Sequence, residues 1–300
     1  MSEYKWLNCR LRDIQGQLEA QAHRVSLPVI SRVLKENDYR LQANAKQQEG
    51  AAHPDRDRQF EYIREQRTEH LANQQPTLSV DTKKKELVGN FKNPGQIWCK
   101  SAERVNVHDF PSEALGRAVP YGLYDRQHNC GTVYVGQSAD TPAFAVDNIA
   151  DWCHTEMLTR FPKATHLLIE ADGGGSNSYR SRVWKRDLQH KVADVFGLTI
   201  TVCHYPTGTS KWNPIEHRLF SEISKNWAGC PLRSFDEVIH SIRDTKTETG
   251  LTVQAHLVTK TYEKGVKVSD QEMDQLCIQP HHVCPNWNYT IYPSLNLSQN

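Results

Sequence analysis

Two acidic residues lie at the ends of predicted strands, where carboxylates often take part in chemistry. Asp81 is near the end of residues 77–82, in which apolar and polar side chains alternate as in a half-buried strand. Asp172 directly follows the strongly apolar residues 166–171 and precedes three glycines. The carboxyl end of a buried strand beside a glycine loop is where α/β folds bind ligands, because glycine lets the main chain approach a ligand closely. Both positions also fit simpler interpretations: an exposed aspartate at a strand end, and a turn-forming Asp-Gly pair.

A third acidic residue, Glu216, lies on the face that should pack inward on a predicted helix spanning residues 214–227. Asn213 suits the cap position of this helix, and Pro214 suits its first position. The apolar residues that share the face of the glutamate at helical spacing are Leu219, Phe220 and Ile223. A carboxylate on a packed face is rarely left without a partner. The alternative is a first-turn glutamate that interacts with the positive end of the helix dipole.

Convergence of the three carboxylates would require cations. Two carboxylates about 4 Å apart repel by roughly 4 kcal/mol at an effective dielectric constant of 20, whereas the stability of a whole domain is only about 5–15 kcal/mol. Oxygen ligands favour Mg²⁺ or Mn²⁺ over zinc. Glu170, two residues before Asp172 and on the same face, is an alternative ligand. Spacing alone does not show that these side chains meet.

The elements that must position these acids form strands and helices in an order that predicts a mixed α/β sheet with a hairpin-like start. Strands are predicted at residues 77–82, 118–125, 132–137, 166–171 and 198–204. Helices are predicted at residues 144–161, 179–196 and 214–227. Residues 250–300 show no periodicity that assigns them to helices or strands.

Upstream of the sheet, the sequence predicts an all-α region that resembles a helix-turn-helix. Residues 15–22 form one predicted helix, and a second begins after a turn at Ser26. The apolar face of the second helix consists of Leu27, Ile30, Val33 and Leu34. Such a pair is typical of DNA-binding motifs, although a helical hairpin that only packs has the same pattern. Polar residues 42–53 predict a linker, and Pro54 opens a further helix that ends near Asn73.

Composition is that of a soluble globular protein, with 38% hydrophobic and 24% charged residues and a net charge of +1. This balance excludes a histone-like basic protein but not a nucleic-acid enzyme, because local basic patches matter more than the total charge. No segment approaches the ~18 apolar residues of a membrane span, and the polar N-terminus carries no secretory signal. The eight widely spaced cysteines predict free thiols, so we expect a cytoplasmic, nucleoid-associated protein.

Several longer motifs resemble those of one known family. They are Ser79–Asn90, Val107–Phe110, Pro120–Asp125, Asp140–Val146, Ala171–Asn177, Gly208–Ser221, Asn226–Leu232 and Trp287–Tyr289. In type and order they are similar to the Rhodopirellula-type DDE transposases of bacterial insertion sequences. The resemblance extends from Arg24 to Pro293.

The resemblance implies a ribonuclease-H-like fold, with a five-stranded mixed sheet flanked by helices. It implies that Asp81, Asp172 and Glu216 are the catalytic carboxylates of an enzyme that cuts the DNA of an insertion sequence and rejoins it. The implied cofactor is a pair of Mg²⁺ ions, for which Mn²⁺ can substitute, with Asp81 bridging both ions. The implied partners are double-stranded DNA, both transposon ends and target, and further copies of the chain assembled on that DNA.

Basic residues near these motifs are predicted to hold the DNA backbone. They are Lys83, Lys84, Lys85, Arg180, Arg182, Lys185, Arg186 and Lys211. Trp212 is predicted to stack on a splayed base, although packing beside the start of the helix is the simpler interpretation.

Four regions are predicted along the chain. They are a partial helix-turn-helix at residues 1–51, a linker and helix at 52–76, the catalytic domain at 77–245 and a C-terminal extension at 246–300. Family members usually carry more sequence upstream, so the resemblance also implies an N-terminally truncated copy with impaired recognition of its own terminal repeats.

Rival functions are a ribonuclease-H-like nuclease, which hydrolyses DNA without joining it, and a non-catalytic DNA-binding protein descended from a transposase. The carboxylates do not separate the first from a transposase. The second would be marked by loss of an acidic residue, and all three are retained. Two weaker patterns are a zinc site at Cys277, His281, His282 and Cys284, whose spacing fits no common motif, and a serine hydrolase at Ser210, which lacks the glycine after the serine.

Overall fold

The computed structural model describes residues 10–40, 53–209 and 212–294, which fall into two units, residues 1–50 and 51–300. In the first unit, α1 (Leu11–Ala20) and α2 (Leu27–Glu36) pack on each other around buried Ile30. The first helix begins four residues earlier than predicted. The predicted helical pair is therefore present, and its contact with DNA stays a prediction. The predicted linker falls almost entirely outside the described residues, as does Lys211.

The second unit is built on one large mixed sheet. Among the described residues its strands are β1 (Thr77–Thr82), β2 (Glu86–Val88), β3 (Gly116–Asp125), β4 (Cys130–Gly136), β5 (His166–Ala171), β6 (Thr199–His204), β7 (Thr252–Val258), β8 (Ile278–Pro280) and β9 (Asn288–Ile291). The strand order is β7-β4-β3-β1-β5-β6-β9-β8, with β2 paired to β3. β5 runs parallel to both β1 and β6, whereas β3 is antiparallel to β1 and β4.

Helices cover both faces of this sheet. They are α3 (Arg56–Ala72), α4 (Pro142–Trp152), α5 (Arg182–Leu188), α6 (a π-helical turn at Glu216–Phe220 followed by Ser221–Asn226), α7 (Phe235–Arg243) and α8 (Asp270–Asp274). Side chains of α4 and α5 form the largest core with one face of the sheet, and α6 and α7 form a second core on the other face. None of the helices in the described part of the chain is long and apolar enough to span a membrane.

The predicted mixed α/β architecture is confirmed, but the sheet is wider than the five predicted strands. The segment that periodicity left unassigned supplies both of its edges, because β7 pairs with β4 while β9 pairs with β6. β1 is buried on both faces rather than half-buried. Its polar Ser79 and Asp81 face α6 instead of solvent, so the alternation in the sequence marks two different packed surfaces.

A buried ion pair fastens α3 to the sheet. Arg67 donates two hydrogen bonds to the Glu170 carboxylate, at 2.6 and 2.7 Å, and the Tyr205 hydroxyl donates a third at 2.7 Å. Glu170 lies in the middle of the sheet and is fully buried, so these three donors replace all of its water. The ion pair thereby holds α3 against β5, the strand directly before Asp172.

We predict that Arg67→Ala lowers the free energy of unfolding by about 3–5 kcal/mol, because it leaves the Glu170 carboxylate buried without its charge partner. The matched control is Arg64→Ala, which breaks an exposed pair with Glu61 on the same helix and should cost about 0–1 kcal/mol. Urea denaturation measures both variants. Equal losses in the two variants would contradict the prediction.

Candidate functional site

Asp81 and Asp172 meet at one edge of the sheet, because β1 and β5 are neighbouring parallel strands that end together. Both side chains line a cavity of about 290 Å³, which Asp140 also lines. The Gly173–Gly175 turn forms part of its wall. The sequence-based expectation that these two aspartates converge is therefore matched by the geometry.

Asp172 has an incompletely satisfied carboxylate. Hydrogen bonding from the Gly174 amide and the Asn177 side chain acts to lower its pKa, but burial is the larger influence and raises it. Its Oδ1 atom is buried and has no hydrogen-bond partner among the described residues. Tyr121 in turn holds Asn177 by donating a 2.9 Å hydrogen bond to its side-chain oxygen. A buried carboxylate oxygen without a donor is costly, which indicates a ligand position.

Asp81 is almost completely buried. The Thr82 amide donates a 2.7 Å hydrogen bond to its Oδ1 atom. Burial first, and then the neighbouring Asp172 and Glu216 carboxylates, raise the pKa of Asp81 far above the usual range of aspartate. The environment of Asp81 therefore favours the protonated acid until a cation compensates its charge.

Glu216 comes close to Asp81 because α6 begins directly on β1. The Ser79 hydroxyl accepts a 3.2 Å hydrogen bond from the Ile215 amide and donates one to the Asn213 side chain. Asn213 thus binds β1 and does not cap the helix through its side chain, which corrects the prediction for that residue. Gly122 lies opposite Asp81 in the register, and a Cβ there would lie 2.5 Å from the Phe220 ring. The missing side chain lets α6 pack down onto the sheet.

The Glu216 carboxyl group is half-buried, and its charge helps to raise the pKa of the neighbouring Asp81. Burial raises the pKa of Glu216, while Lys83 and His217 act to lower it. Glu216 also borders a groove of about 560 Å³ beside the aspartate cavity, and Lys83 and Lys84 line both spaces. As predicted, the stripe that continues from Glu216 through Leu219 and Ile223 packs inward.

Asp140 is a fourth acid that reasoning from the sequence missed. It accepts a 3.2 Å hydrogen bond from the Thr82 hydroxyl, and Lys85 lies 3.0 Å from its other oxygen. Its position just before the Thr141 cap of α4 gave no pattern that separates it from an ordinary loop aspartate. The only available signal was its place at the start of one of the motifs that carry the family resemblance.

Glu170, the alternative ligand, is engaged elsewhere. Arg67 and Tyr205 bind both of its oxygens on the α3 side of the sheet. The sequence showed that it shares the face of Asp172 but not that this face is covered by α3. The structure therefore favours Asp172 over Glu170 as the residue with a free coordinating oxygen.

The predicted DNA-binding basic residues divide into two groups. Lys84 and Arg180 are exposed, and Lys85 is partly exposed in its pair with Asp140. Lys83 is buried with its ammonium 3.5 Å from Glu86 and 4.4 Å from the centre of the Trp227 ring, which disfavours the predicted phosphate contact.

Three other basic side chains have partners within the described part of the protein. Arg182 pairs with Asp270 at 2.6 Å, and Arg186 pairs with Asp187 at 2.7 Å. Lys185 is more than half buried above the Tyr289 ring. Lys185 and Arg186 are therefore less available to DNA than their charges suggest, whereas the Arg182 side chain remains 49% exposed.

Trp212 is about half exposed and makes an edge contact with Phe60, 6.2 Å between ring centres. This contact fits the simpler interpretation of packing, and base stacking stays a prediction.

At the weak zinc pattern, both ring nitrogens of His281 are hydrogen-bonded, to Tyr62 and to Thr290, each at 2.7 Å. That arrangement leaves His281 no nitrogen for a metal.

The carboxylates at the sheet edge fit a hard divalent cation. Their oxygens are the ligands that Mg²⁺ and Mn²⁺ prefer, and Asp172 Oδ1 offers a buried lone pair with no other use. Within residues 10–40, 53–209 and 212–294, no three His, Cys, Asp or Glu side chains are already drawn around a single ion position. Asp81, Asp172 and Glu216, with Asp140 beside them, are the residues that could supply the ligands.

Comparison with known proteins defines the class. The chain matches the family model described as Rhodopirellula transposase DDE domain over residues 1–293. It is therefore a transposase of the DDE type, a polynucleotidyl-transferase enzyme. More particularly, the chain belongs to the Rhodopirellula transposase DDE domain family, as its motifs suggested. No curated protein matches it.

Solved structures with some likeness to the chain are those of Mos1 transposase. The paired-end complex with the left transposon end is 10% identical, with a TM-score of 0.45 over 79% of this chain and 71% of that chain. The Mos1 mariner paired-end complex with Mn is 11% identical, with a TM-score of 0.45 over 79% of this chain and 72% of that one. The corresponding complex with Mg is 13% identical, with a TM-score of 0.39 over 79% and 71% of the two chains.

We predict that Asp81→Asn stabilises the metal-free protein at pH 8 by about 1–2 kcal/mol and has little effect at pH 4. A carboxyl group whose pKa is raised on folding contributes stability below its unfolded pKa, near 4, and that contribution is lost as the pH rises through the folded pKa. Asparagine keeps the Thr82 hydrogen bond but never carries the charge. Urea denaturation with chelator at both pH values measures the effect.

The control for this experiment is Asp274→Asn at an exposed position of α8. Its unfolding free energy should follow that of the wild type at both pH values. If the Asp81 variant also follows the wild type, the clustered charges do not destabilise the metal-free site.

Proposed function

We propose that Asp81, Asp172 and Glu216 are the catalytic carboxylates with which this transposase cuts the ends of an insertion sequence and joins them to target DNA. The observation that carries the proposal is the buried Asp172 Oδ1 atom, which has no hydrogen-bond partner in the described part of the chain and lies beside two further acids of raised pKa. Without a ligand, such a cluster would only destabilise the fold, because buried charges without partners are costly and the stability of a domain is small.

Two Mg²⁺ ions, or Mn²⁺ in their place, are the proposed cofactor. When bound, the ions would polarise the scissile phosphate and lower the pKa of the attacking water or 3′-hydroxyl. Asp81, Asp172 and Glu216 would hold these ions, and Asp81 is the proposed shared ligand because the charges of both other acids act on it.

The protein itself positions and restrains these groups. Thr82 holds the Asp81 carboxylate through its amide and also donates to Asp140, so one residue links two acids. The Gly173–Gly175 turn has no side chains to keep a DNA backbone away from Asp172. Lys83 offsets part of the negative charge beside Glu216 from its buried position.

DNA is the proposed partner, in keeping with membership of a transposase family. Exposed Lys84 stands at the junction of the aspartate cavity and the Glu216 groove, where a bound backbone would pass. Its side chain is 77% exposed, so it can reach a phosphate without breaking an internal contact of high value. We propose Lys84 and Arg180 as the principal phosphate contacts among the predicted basic residues.

The catalytic assignment predicts that Asp172→Asn and Glu216→Gln each lower Mg²⁺-dependent cleavage of transposon-end DNA by at least ~10³-fold, because each removes a ligand charge. The matched control is Glu222→Gln on the same helix, which lies outside the acid cluster and pairs with Lys225. Single-turnover cleavage on labelled DNA measures all three variants. Wild-type rates in either site variant would remove that residue from the site.

The same assay on the wild type separates the rival functions. Nicked product that is never joined to target would indicate a nuclease, and DNA binding without any cleavage would indicate a non-catalytic descendant. Joined product is the expected result.

The division of basic residues predicts that Lys84→Ala reduces the slope of log affinity against log salt concentration by about 0.9, the value for one phosphate contact on duplex DNA. Arg186→Ala should leave the slope unchanged, because Arg186 is already paired with Asp187 and lies 3.7 Å from Glu272. DNA binding measured by fluorescence anisotropy at several salt concentrations tests both. A reduced slope in the Arg186 variant would instead support the wider basic surface.

A further inference from the structure

A chain of buried hydrogen bonds ends on the main chain of Asp172. The Trp184 indole nitrogen lies 2.9 Å from the Tyr289 hydroxyl, which lies 3.2 Å from His204 Nε2. The other ring nitrogen of His204, Nδ1, lies 2.9 Å from the carbonyl oxygen of Asp172. The side chains of Trp184, Tyr289 and His204 are all at most 2% exposed, so water does not complete or interrupt the chain.

The direction of every hydrogen bond in this chain follows from its two ends. The Trp184 indole can only donate, and the Asp172 carbonyl can only accept. Tyr289 therefore accepts from Trp184 and donates to His204 Nε2, and His204 donates from Nδ1. In the neutral ring the Asp172 carbonyl thus requires the proton on Nδ1, and the Tyr289 hydroxyl satisfies the lone pair that remains on Nε2.

The chain connects parts of the sheet that are distant in sequence. Trp184 comes from α5 and Tyr289 from β9, while His204 ends β6 directly opposite Ala171 in the register. Its last bond is made where β5 stops and Asp172 leaves the sheet. His204 acts on the site through that carbonyl, and its ring also makes an edge contact with Tyr179, 6.0 Å between ring centres.

We propose that Trp184, Tyr289 and His204 form a positioning relay that holds the main chain of Asp172 so that its carboxylate faces the metal site. The proposal rests on the function proposed above for Asp172. On one side of Asp172 the Gly174 amide and Asn177 restrain the carboxylate. On the other side the relay restrains the carbonyl, so the residue is fixed at both ends.

The test is Tyr289→Phe, which removes the hydroxyl in the middle of the relay and keeps the buried ring. Mn²⁺ binding to the full chain without DNA, measured by electron paramagnetic resonance of free Mn²⁺, should weaken about 10-fold, as for other outer groups that orient metal ligands. Nitrogen-15 shifts of the His204 ring should show loss of the hydrogen bond to Nε2 while Nδ1 stays protonated. Cleavage by the variant should recover toward the wild-type rate as Mn²⁺ is raised.

The matched control is Tyr262→Phe. The Tyr262 ring also belongs to the main core, and its hydroxyl donates a 2.9 Å hydrogen bond to the carboxylate of Asp147, which is not one of the clustered acids. Both variants should lose similar unfolding free energy, and only the Tyr289 variant should lose Mn²⁺ affinity. Unchanged Mn²⁺ affinity in the Tyr289 variant, or an equal loss in both, would overturn the relay.

Failure of the proposed catalytic site looks different. If Asp172→Asn binds Mn²⁺ as tightly as the wild type, Asp172 is not a ligand and the proposed function fails, whatever Tyr289→Phe does. If Asp172→Asn abolishes binding that added Mn²⁺ does not restore, while Tyr289→Phe behaves as the wild type, only the relay fails.

Discussion

The close approach of α6 to β1 and β3 is the constraint on which the site depends. Glu216 comes close to Asp81 only because its helix starts on the Ser79 hydroxyl and packs over Gly122. A side chain at position 122 would force the helix outward, and the third carboxylate would leave the cluster. The sheet therefore supplies two acids at the ends of parallel strands, and packing supplies the third.

That packing brings negative charges together, and the protein limits the repulsion by distributing partners around them. Lys83 lies beside Glu216, Lys85 pairs with Asp140, and the Thr82 amide binds Asp81. Asp172 Oδ1 receives no such partner. The negative charge of the acids is thus partly compensated by neighbouring groups, but the Asp172 Oδ1 atom is not. This is the arrangement expected where a cation completes the site.

Much of this could be predicted from the sequence, because the central strands and helices carry strong local patterns. The strands at 77–82 and 166–171 were located correctly, the first from its alternation of apolar and polar residues and the second from its continuous apolar run. Periodicity missed the edge strand at 252–258, where buried and exposed residues do not alternate throughout. Asp140 and the burial of Lys83 depend on contacts between segments far apart in sequence, so no local pattern could reveal them.

Glu170 and Asp172 show why residue type alone does not define the site. They are two residues apart on one strand, yet Glu170 has three donors within 2.7 Å and Asp172 keeps a buried oxygen without any. The difference arises because α3 covers the sheet as far as Glu170, whereas the glycine turn opens beyond it. The Glu170 carboxylate, whose oxygens are bound by Arg67 and Tyr205, stabilises the fold. The Asp172 carboxylate is buried without full hydrogen bonding, which costs free energy that a bound cation can offset. Structural and functional acids are therefore separated by how completely the surrounding protein satisfies them.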